Sequence, residues 1–237
     1  MAFEIPTVAA AMDLKVLQLD QITNNLANAA TPGFKAEHLH FLKNMAENNP
    51  SSGDVASLGS LVMDFAQGMP QRTGNPLDLQ LQGDGFFVVG TKESQAFTRK
   101  GDFTINRLNQ IVTQAGDPVL GEGGPITLTK GKIEIGSEGS VYVDGSQVGK
   151  LRVVDFASRQ ALTSAGGGLY RDDGAAGMKK VEKPNVSSGV IELSNVNVIK
   201  EMAEMININR SFEAYSKIIQ TLSEQDKLST GRIGRVG

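Results

Sequence analysis

The stretch Asn75–Val89, NPLDLQLQGDGFFVV, constrains the fold more than any other part of the chain. Leu77, Leu79 and Leu81 alternate with Asp78, Gln80 and Gln82, a period of two that specifies a strand with one apolar face. Gly83-Asp84-Gly85 then reads as a tight turn, and Phe86-Phe87-Val88-Val89 as a strand that buries at least one of its phenylalanines. Further short strands are expected over residues 96–99, 103–106, 111–113, 126–129, 132–135, 141–143 and 147–156. The turn pairs Lys100-Gly101, Glu138-Gly139 and Asp144-Gly145 separate several of them. Such spacing predicts an antiparallel β-domain over about 75–186.

At both ends the period changes to that of a helix. Val8, Met12, Val16, Leu19, Ile22, Leu26 and Ala29 recur every three or four residues over 7–30, an apolar stripe on a helix about 36 Å long. Asn24, Asn25 and Asn28 lie on its other side, and Thr31-Pro32-Gly33 ends it, because proline lacks the amide donor and glycine accepts positive φ. Phe34 is expected to anchor the redirected chain. Over 196–228, Val198, Ile199, Met202, Met205, Ile206, Phe212, Ile219 and Leu222 repeat the stripe, with the polar Asn209 and Ser216 inside it. The fold class expected is α+β: an antiparallel all-β middle flanked by long amphipathic helices that pair as a coiled-coil-like terminal domain. Four regions follow: 1–43 as the amino-terminal helical segment, grouped with 190–237; 44–74 as a linker; 75–186 as the β-domain; and 187–237 as the return segment and second helix. The linker is rich in Asn, Ser and Gly, least structured over 45–53, with a short strand at Leu61, Val62 and Phe65.

Composition narrows the chemistry. With 40% hydrophobic residues but only 5% aromatic and no Trp, the core is mostly aliphatic. A net charge of -3 spread over both signs offers no field for nucleic acid or an anionic membrane. The absence of cysteine excludes disulfides and thiol chemistry. The first thirty residues have no cationic start followed by an apolar run and cleavage site, and no window approaches eighteen apolar residues, so neither signal cleavage nor membrane insertion is expected.

Three features invite a catalytic or binding reading. His38 and His40 flank Leu39, yet they are the only histidines, so a zinc site would need several carboxylates; exposed histidines at a polar helix end fit better. Gly121-Glu-Gly-Gly124 lacks the Lys and Ser/Thr of a phosphate loop and reads as a turn. Asp84, Asp102, Asp117 and Asp144 include candidates for a glycosidase carboxylate pair, but each sits beside a glycine in an expected turn. No Ser/His/Asp set is available, and no cofactor or small-molecule substrate is implied.

Three motifs in fixed order, NNLANAATPGFK at Asn24–Lys35, NPLDLQLQGDGFFVV at Asn75–Val89 and SGVIELSNVNVIKEM at Ser188–Met202, resemble the flagellar rod and hook family of axial proteins. The continuation over 97–128, with GEGGPITL at 121–128, is most similar to that family's proximal-rod type. The residues that carry the likeness are Asn24, Asn25, Leu26, Asn28, Thr31, Pro32, Gly33, Phe34, Asn75, Pro76, Leu77, Asp78, Gly83, Gly85, Phe86 and Phe87, with Ser194, Asn195, Val196 and Asn197 in the third motif. The resemblance implies a non-enzymatic subunit of a helical rod that transmits torque in the basal body and spans the periplasm. Its implied partners are copies of itself, other rod proteins including the distal-rod protein, surrounding ring proteins, and the type III export apparatus during secretion. The apolar stripes then become the expected assembly interface: Val8, Met12, Val16, Leu19, Ile22 and Leu26, with Ile199, Met202, Met205, Ile206, Phe212, Ile219 and Leu222. One rival is the distal-rod protein, which shares the first two motifs. Another, from a different class, is a carbohydrate- or peptidoglycan-active enzyme built on the β-domain.

Overall fold

The computed structural model describes residues 4–40, 60–91 and 94–233, with side chains described from residue 8 to 224 within that range. The least structured part of the expected linker, 45–53, lies outside the described residues. The chain divides into two compact units, Met1–Ala27 with Glu37–Val62 and Asn197–Gly237, and Asn28–Ala36 with Met63–Val196.

The first unit contains α1 (Glu4–Ala27), β1 (Glu37–His40), most of β2 (Ser60–Met63) and α2 (Val198–Ile233), with β1 and β2 forming a two-stranded sheet. Asn197 caps α2: its Oδ1 accepts a hydrogen bond from the Lys200 amide at 3.1 Å, satisfying one of the free donors of the first turn. Of the described side chains of α2 beyond Lys200, Glu201 and Ile208 are buried and Met205, Ser211, Tyr215, Ser216, Ile219 and Leu222 are half-buried. Ile199, Met202 and Ile206 fall on another face and are exposed.

This distribution corrects the expected fold class. Among the described residues the chain has two α-helices and a mostly β-strand middle, but the helices do not pair as a coiled coil. Of the residues expected to line the seam, only Ile22 is buried; Val16, Ile199, Met202, Ile206 and Phe212 are exposed. The physical reason is polar. Asn25 and Glu201 are both buried, with Asn25 Nδ2 donating to Glu201 Oε1 at 3.4 Å. Asn25 also pairs with the backbone of Glu37 in both directions, at 2.9 Å each, which ties α1 to β1. A seam of apolar knobs has no room for these groups.

Apart from a 3-10 turn at Arg159–Ala161, the second unit is built of strands. Its strands are β3 (Pro70–Arg72), β4 (Leu79–Leu81), β5 (Phe86–Gly90), β6 (Gln95–Thr98), β7 (Thr104–Ile105), β8 (Ile111–Val112), β9 (Leu120–Gly121), β10 (Gly124–Pro125) and β11 (Ile133–Ile135). They continue as β12 (Ser140–Val143), β13 (Ser146–Lys150), β14 (Val153–Phe156), β15 (Leu162–Gly166), β16 (Leu169–Asp172), β17 (Met178–Lys180), β18 (Val186–Ser188) and β19 (Val190–Glu192). The largest sheet has the order β15-β16-β6-β5-β14-β17; a second has the order β11-β12-β13; β3, β4, β7 and β9 pair with β19, β18, β8 and β10. The pairs with described register are antiparallel.

β5 sits inside the large sheet, and its alternation feeds two cores. Phe87 and Val89 point into an aliphatic cluster with Leu79, Leu81, Ile111, Val119 and Val153. Phe86 and Val88 point to the other side, where Phe86, Phe97, Phe156 and Tyr170 stack edge to face at centroid separations from 4.8 to 5.8 Å. Each such contact contributes about 0.5–1.5 kcal/mol beyond burial. Both phenylalanines are therefore buried.

Two expected strands differ. The run 147–156 breaks into β13 and β14, which belong to different sheets, because the Leu151 amide turns to Gly139 O and the Arg152 amide to Leu120 O. At 126–129, Ile126 and Leu128 are core plugs, while the two-residue strand before them, β10, closes a hairpin with β9 across Glu122-Gly123.

Candidate assembly site

In the first unit, the expected interface residues fall into three groups. Ile22 is buried; Val8, Met12, Leu19, Leu26, Met205, Ile219 and Leu222 are half-buried; Val16, Ile199, Met202, Ile206 and Phe212 are exposed. Ile199 is 81% exposed, Met202 52% and Ile206 54%, which puts three large apolar side chains at i, i+3 and i+7 in solvent. Exposed Leu17 and Ile218, and buried Ile208, were not among the expected residues. Ile208 was legible in principle, since it stands three residues after Met205.

In the second unit, the motif residues build a junction around one carboxylate. Beyond α1 the chain turns at Thr31, whose amide bonds Asn28 O at 3.0 Å and whose hydroxyl lies 3.3 Å from Asn28 Oδ1. Gly33 then adopts φ +66, and its amide donates to Glu192 O at 2.7 Å. A side chain there would place Cβ 2.5 Å from the Arg99–Lys100 backbone, so only glycine allows the approach. Phe34 is buried. Lys35 Nζ, with no side-chain exposure, donates to Glu192 Oε1 at 2.5 Å and to Ala66 O at 2.7 Å. Glu192 Oε1 also accepts the Gly68 amide at 2.9 Å, and its Oε2 lies 3.9 Å from Arg99 Nε.

Arg99 is likewise buried. Its Nη2 donates to Gly83 O at 2.5 Å and its guanidinium lies 5.8 Å from the centre of the Phe86 ring, while Nη1 has no acceptor among the described residues. Burial pulls the Lys35 ammonium below its ordinary range, against the opposing pull of Glu192, and it lowers Arg99 in the same way. Neither Arg99 nor Glu192 stands out from its neighbours in the sequence alone.

The other motif residues brace this junction. Asn195 Oδ1 accepts from the Ala36 amide at 2.8 Å and its Nδ2 donates to Asp64 O at 2.8 Å, while Ser194 Oγ accepts from the Val196 amide at 3.2 Å. Asn75 forms an Asx turn, accepting from the Leu77 amide at 3.2 Å and donating to Asp78 Oδ1 at 2.9 Å, with Pro76 O accepting from Ser188 Oγ. Gly83 has φ +82, and Gly85 has φ +127 with Val153 Cγ1 packed where its Cβ would sit.

His38 and His40 lie on β1, not at a helix end, and no group of three potential metal ligands occurs among the described residues. Of the four aspartates, Asp102 and Asp117 border one cavity of about 80 Å³, together with Lys100. Asp84 pairs instead with Arg159 at 2.7 Å, and Asp144 Oδ1 accepts the Lys132 amide at 2.8 Å. No described helix is long and apolar enough to cross a membrane.

A β-rich body joined to a helical unit that leaves large apolar side chains in solvent defines an assembly subunit. Residues 181–229 match the family model described as flagellar basal body rod FlgEFG protein C-terminal, and residues 80–143 match that of the flagellar hook protein FlgE/F/G D1 domain. Over 228 residues the chain is 33% identical to the flagellar basal-body rod protein FlgF of Caulobacter vibrioides, covering 92% of this chain and 93% of that one. It is also 33% identical over 241 residues to the flagellar basal-body rod protein FlgG of Bacillus subtilis, covering 87% and 90%. With FlgF of Salmonella typhimurium the identity is 31% over 240 residues, covering 94% of each. The chain belongs to the flagellar basal-body rod protein family, and is a structural subunit of the rod that works with other rod and hook components.

Proposed function

We propose that the chain is a proximal-rod subunit whose work is assembly and torque transmission, with no catalysis. It reaches the periplasm through the flagellar export apparatus without cleavage of a signal peptide, and stacks there on copies of itself and on other rod proteins, the distal-rod protein among them, with ring proteins as outer neighbours. The observation that carries the assembly reading is the exposed run Ile199, Met202 and Ile206 on α2, since a subunit working alone leaves little reason to keep such a row in water. Half-buried Met12, Leu19 and Leu26 of α1 offer further apolar surface to neighbours. In a heterologous contact one patch meets a different patch on the next subunit, and the operation propagates as a helix.

Ile199→Asp with Met202→Asp tests this. Both side chains are already in solvent, so the chain folds, and rod yield in purified basal bodies and swimming are lost. Normal swimming would sink the assembly reading. A distal-rod role is the second reading, favoured by the FlgG relative of equal identity. Locating a tagged chain along isolated basal bodies separates the two.

A further inference from the structure

The helical unit encloses a cavity of about 150 Å³ on a different face of α2 from the exposed run. Its apolar lining is Ile22 of α1, Leu39 of β1 and Ile208 of α2; Gln18, Gln21 and His38 add polar groups, and three charged residues of α2, Lys200, Glu201 and Glu204, border it. Glu201 is only 7% exposed. A carboxylate this deeply buried ordinarily receives two or three donors or an opposite charge. Glu201 accepts one described side-chain hydrogen bond, from Asn25 Nδ2 at 3.4 Å, and neither of its oxygens is both buried and without a partner, so the carboxylate head is reached from the cavity. Lys200 makes no ion pair with it among the described residues.

We propose that this cavity is a socket for one lysine or arginine side chain of a neighbouring rod subunit, with Glu201 as its ion-pair partner. The bordering charge is two carboxylates against one ammonium, which favours a cation. The three aliphatic walls suit the methylene stem below a charged head. The volume is below the roughly 300–1,000 Å³ of small-molecule sites, so it fits a side chain better than a cofactor. A metal ion is a poor occupant, since no three-ligand group is present among the described residues. The socket rests on the reading that the helical unit faces neighbours, and it names one of the contacts made there.

Glu201→Gln in the full chain is the test, because it keeps the shape and the acceptor for Asn25 while removing the charge. The thermal midpoint of the purified chain is expected to stay level, since the variant keeps the side chain's shape and its acceptor for Asn25. Rod yield and swim-plate expansion are expected to fall at least fivefold in a strain carrying the variant as its only copy, and Glu204→Gln is expected to have a smaller effect. A lowered midpoint would make Glu201 an internal structural group and overturn the socket. Normal rod yield with an unchanged midpoint would overturn it as well. If that happens while Ile199→Asp with Met202→Asp still blocks assembly, the socket alone is wrong; if neither variant affects assembly, both readings fall.

Discussion

Glu192→Gln removes the one buried carboxylate beside two buried cations while preserving side-chain size. Lys35 has no side-chain exposure and Arg99 only 4%, so neither is able to recruit water in place of the lost anion. Removing one partner of a buried pair costs about 3–5 kcal/mol. An independent ceiling comes from Lys35 itself, which escapes the penalty by shedding its proton. From its ordinary value of 10.5, deprotonation at pH 7 costs about 5 kcal/mol. At about 2–4 °C per kcal/mol for a domain of this size, the midpoint is expected to fall by roughly 6–20 °C.

Thermal unfolding followed by circular dichroism at pH 7 and at pH 10 separates charge from shape. The folded-state pKa of Lys35 lies below its unfolded value, so between the two the unfolded state binds more protons and stability rises with pH. Loss of Glu192 lowers the folded value further, and the deficit of the variant therefore narrows as pH climbs towards 10.5. Lys35→Met in the Glu192→Gln background should recover part of the loss by removing one stranded cation. A fall of less than about 3 °C, or a deficit that does not change with pH, would refute the electrostatic account of the junction.

Three further outcomes follow from positions already described. Gly33→Val places a β-carbon against the Arg99–Lys100 backbone at a positive φ, so both the thermal midpoint and swimming are expected to fall sharply; wild-type swimming would count against the tight approach. Gly85→Val, whose Cβ would lie 2.9 Å from Val153 Cγ1, is expected to lower the midpoint, whereas Asp84→Asn, at a carboxylate with 67% side-chain exposure, changes stability by less than about 1 kcal/mol. Loss of function in Asp84→Asn with folding and assembly intact would reverse that reading. Burial holds Asp102 above its ordinary 3.8, so its ionised form costs stability at neutral pH and the cost fades as pH falls towards 3.8. Asp102→Asn should therefore unfold at a higher temperature than the parent at pH 7, with the gap closing in acid.

What the sequence discloses here is local, and what it hides is the choice of partner. The alternation Leu77, Leu79, Leu81 needs only neighbouring residues to mark a strand, and the strand is present as Leu79–Leu81. Thr31-Pro32-Gly33 needs only the missing amide and the positive φ to end a helix, and α1 stops at Ala27. On α2 the same reasoning misleads. Counting apolar residues every three or four positions admits Ile199, Met202 and Ile206 as readily as Met205 and Ile208, and which set turns inward depends on groups distant in sequence, with Ile208 and Glu201 buried along with Ile22 and Asn25.

The junction makes the same point more strongly. Lys35 and Glu192 are separated by 157 positions, and neither they nor Arg99 has a local environment that sets it apart from the chain's other charges. Their burial follows from the closeness of Gly33 to the Arg99–Lys100 backbone, which draws the turn after α1 against the end of β6 and leaves the neighbouring side chains no path to solvent. Two cations and one carboxylate enclosed in this way are costly to separate, so the segments that bear them are held in one arrangement. For a subunit that transmits torque, a junction whose alternatives are all expensive serves better than one that is merely stable.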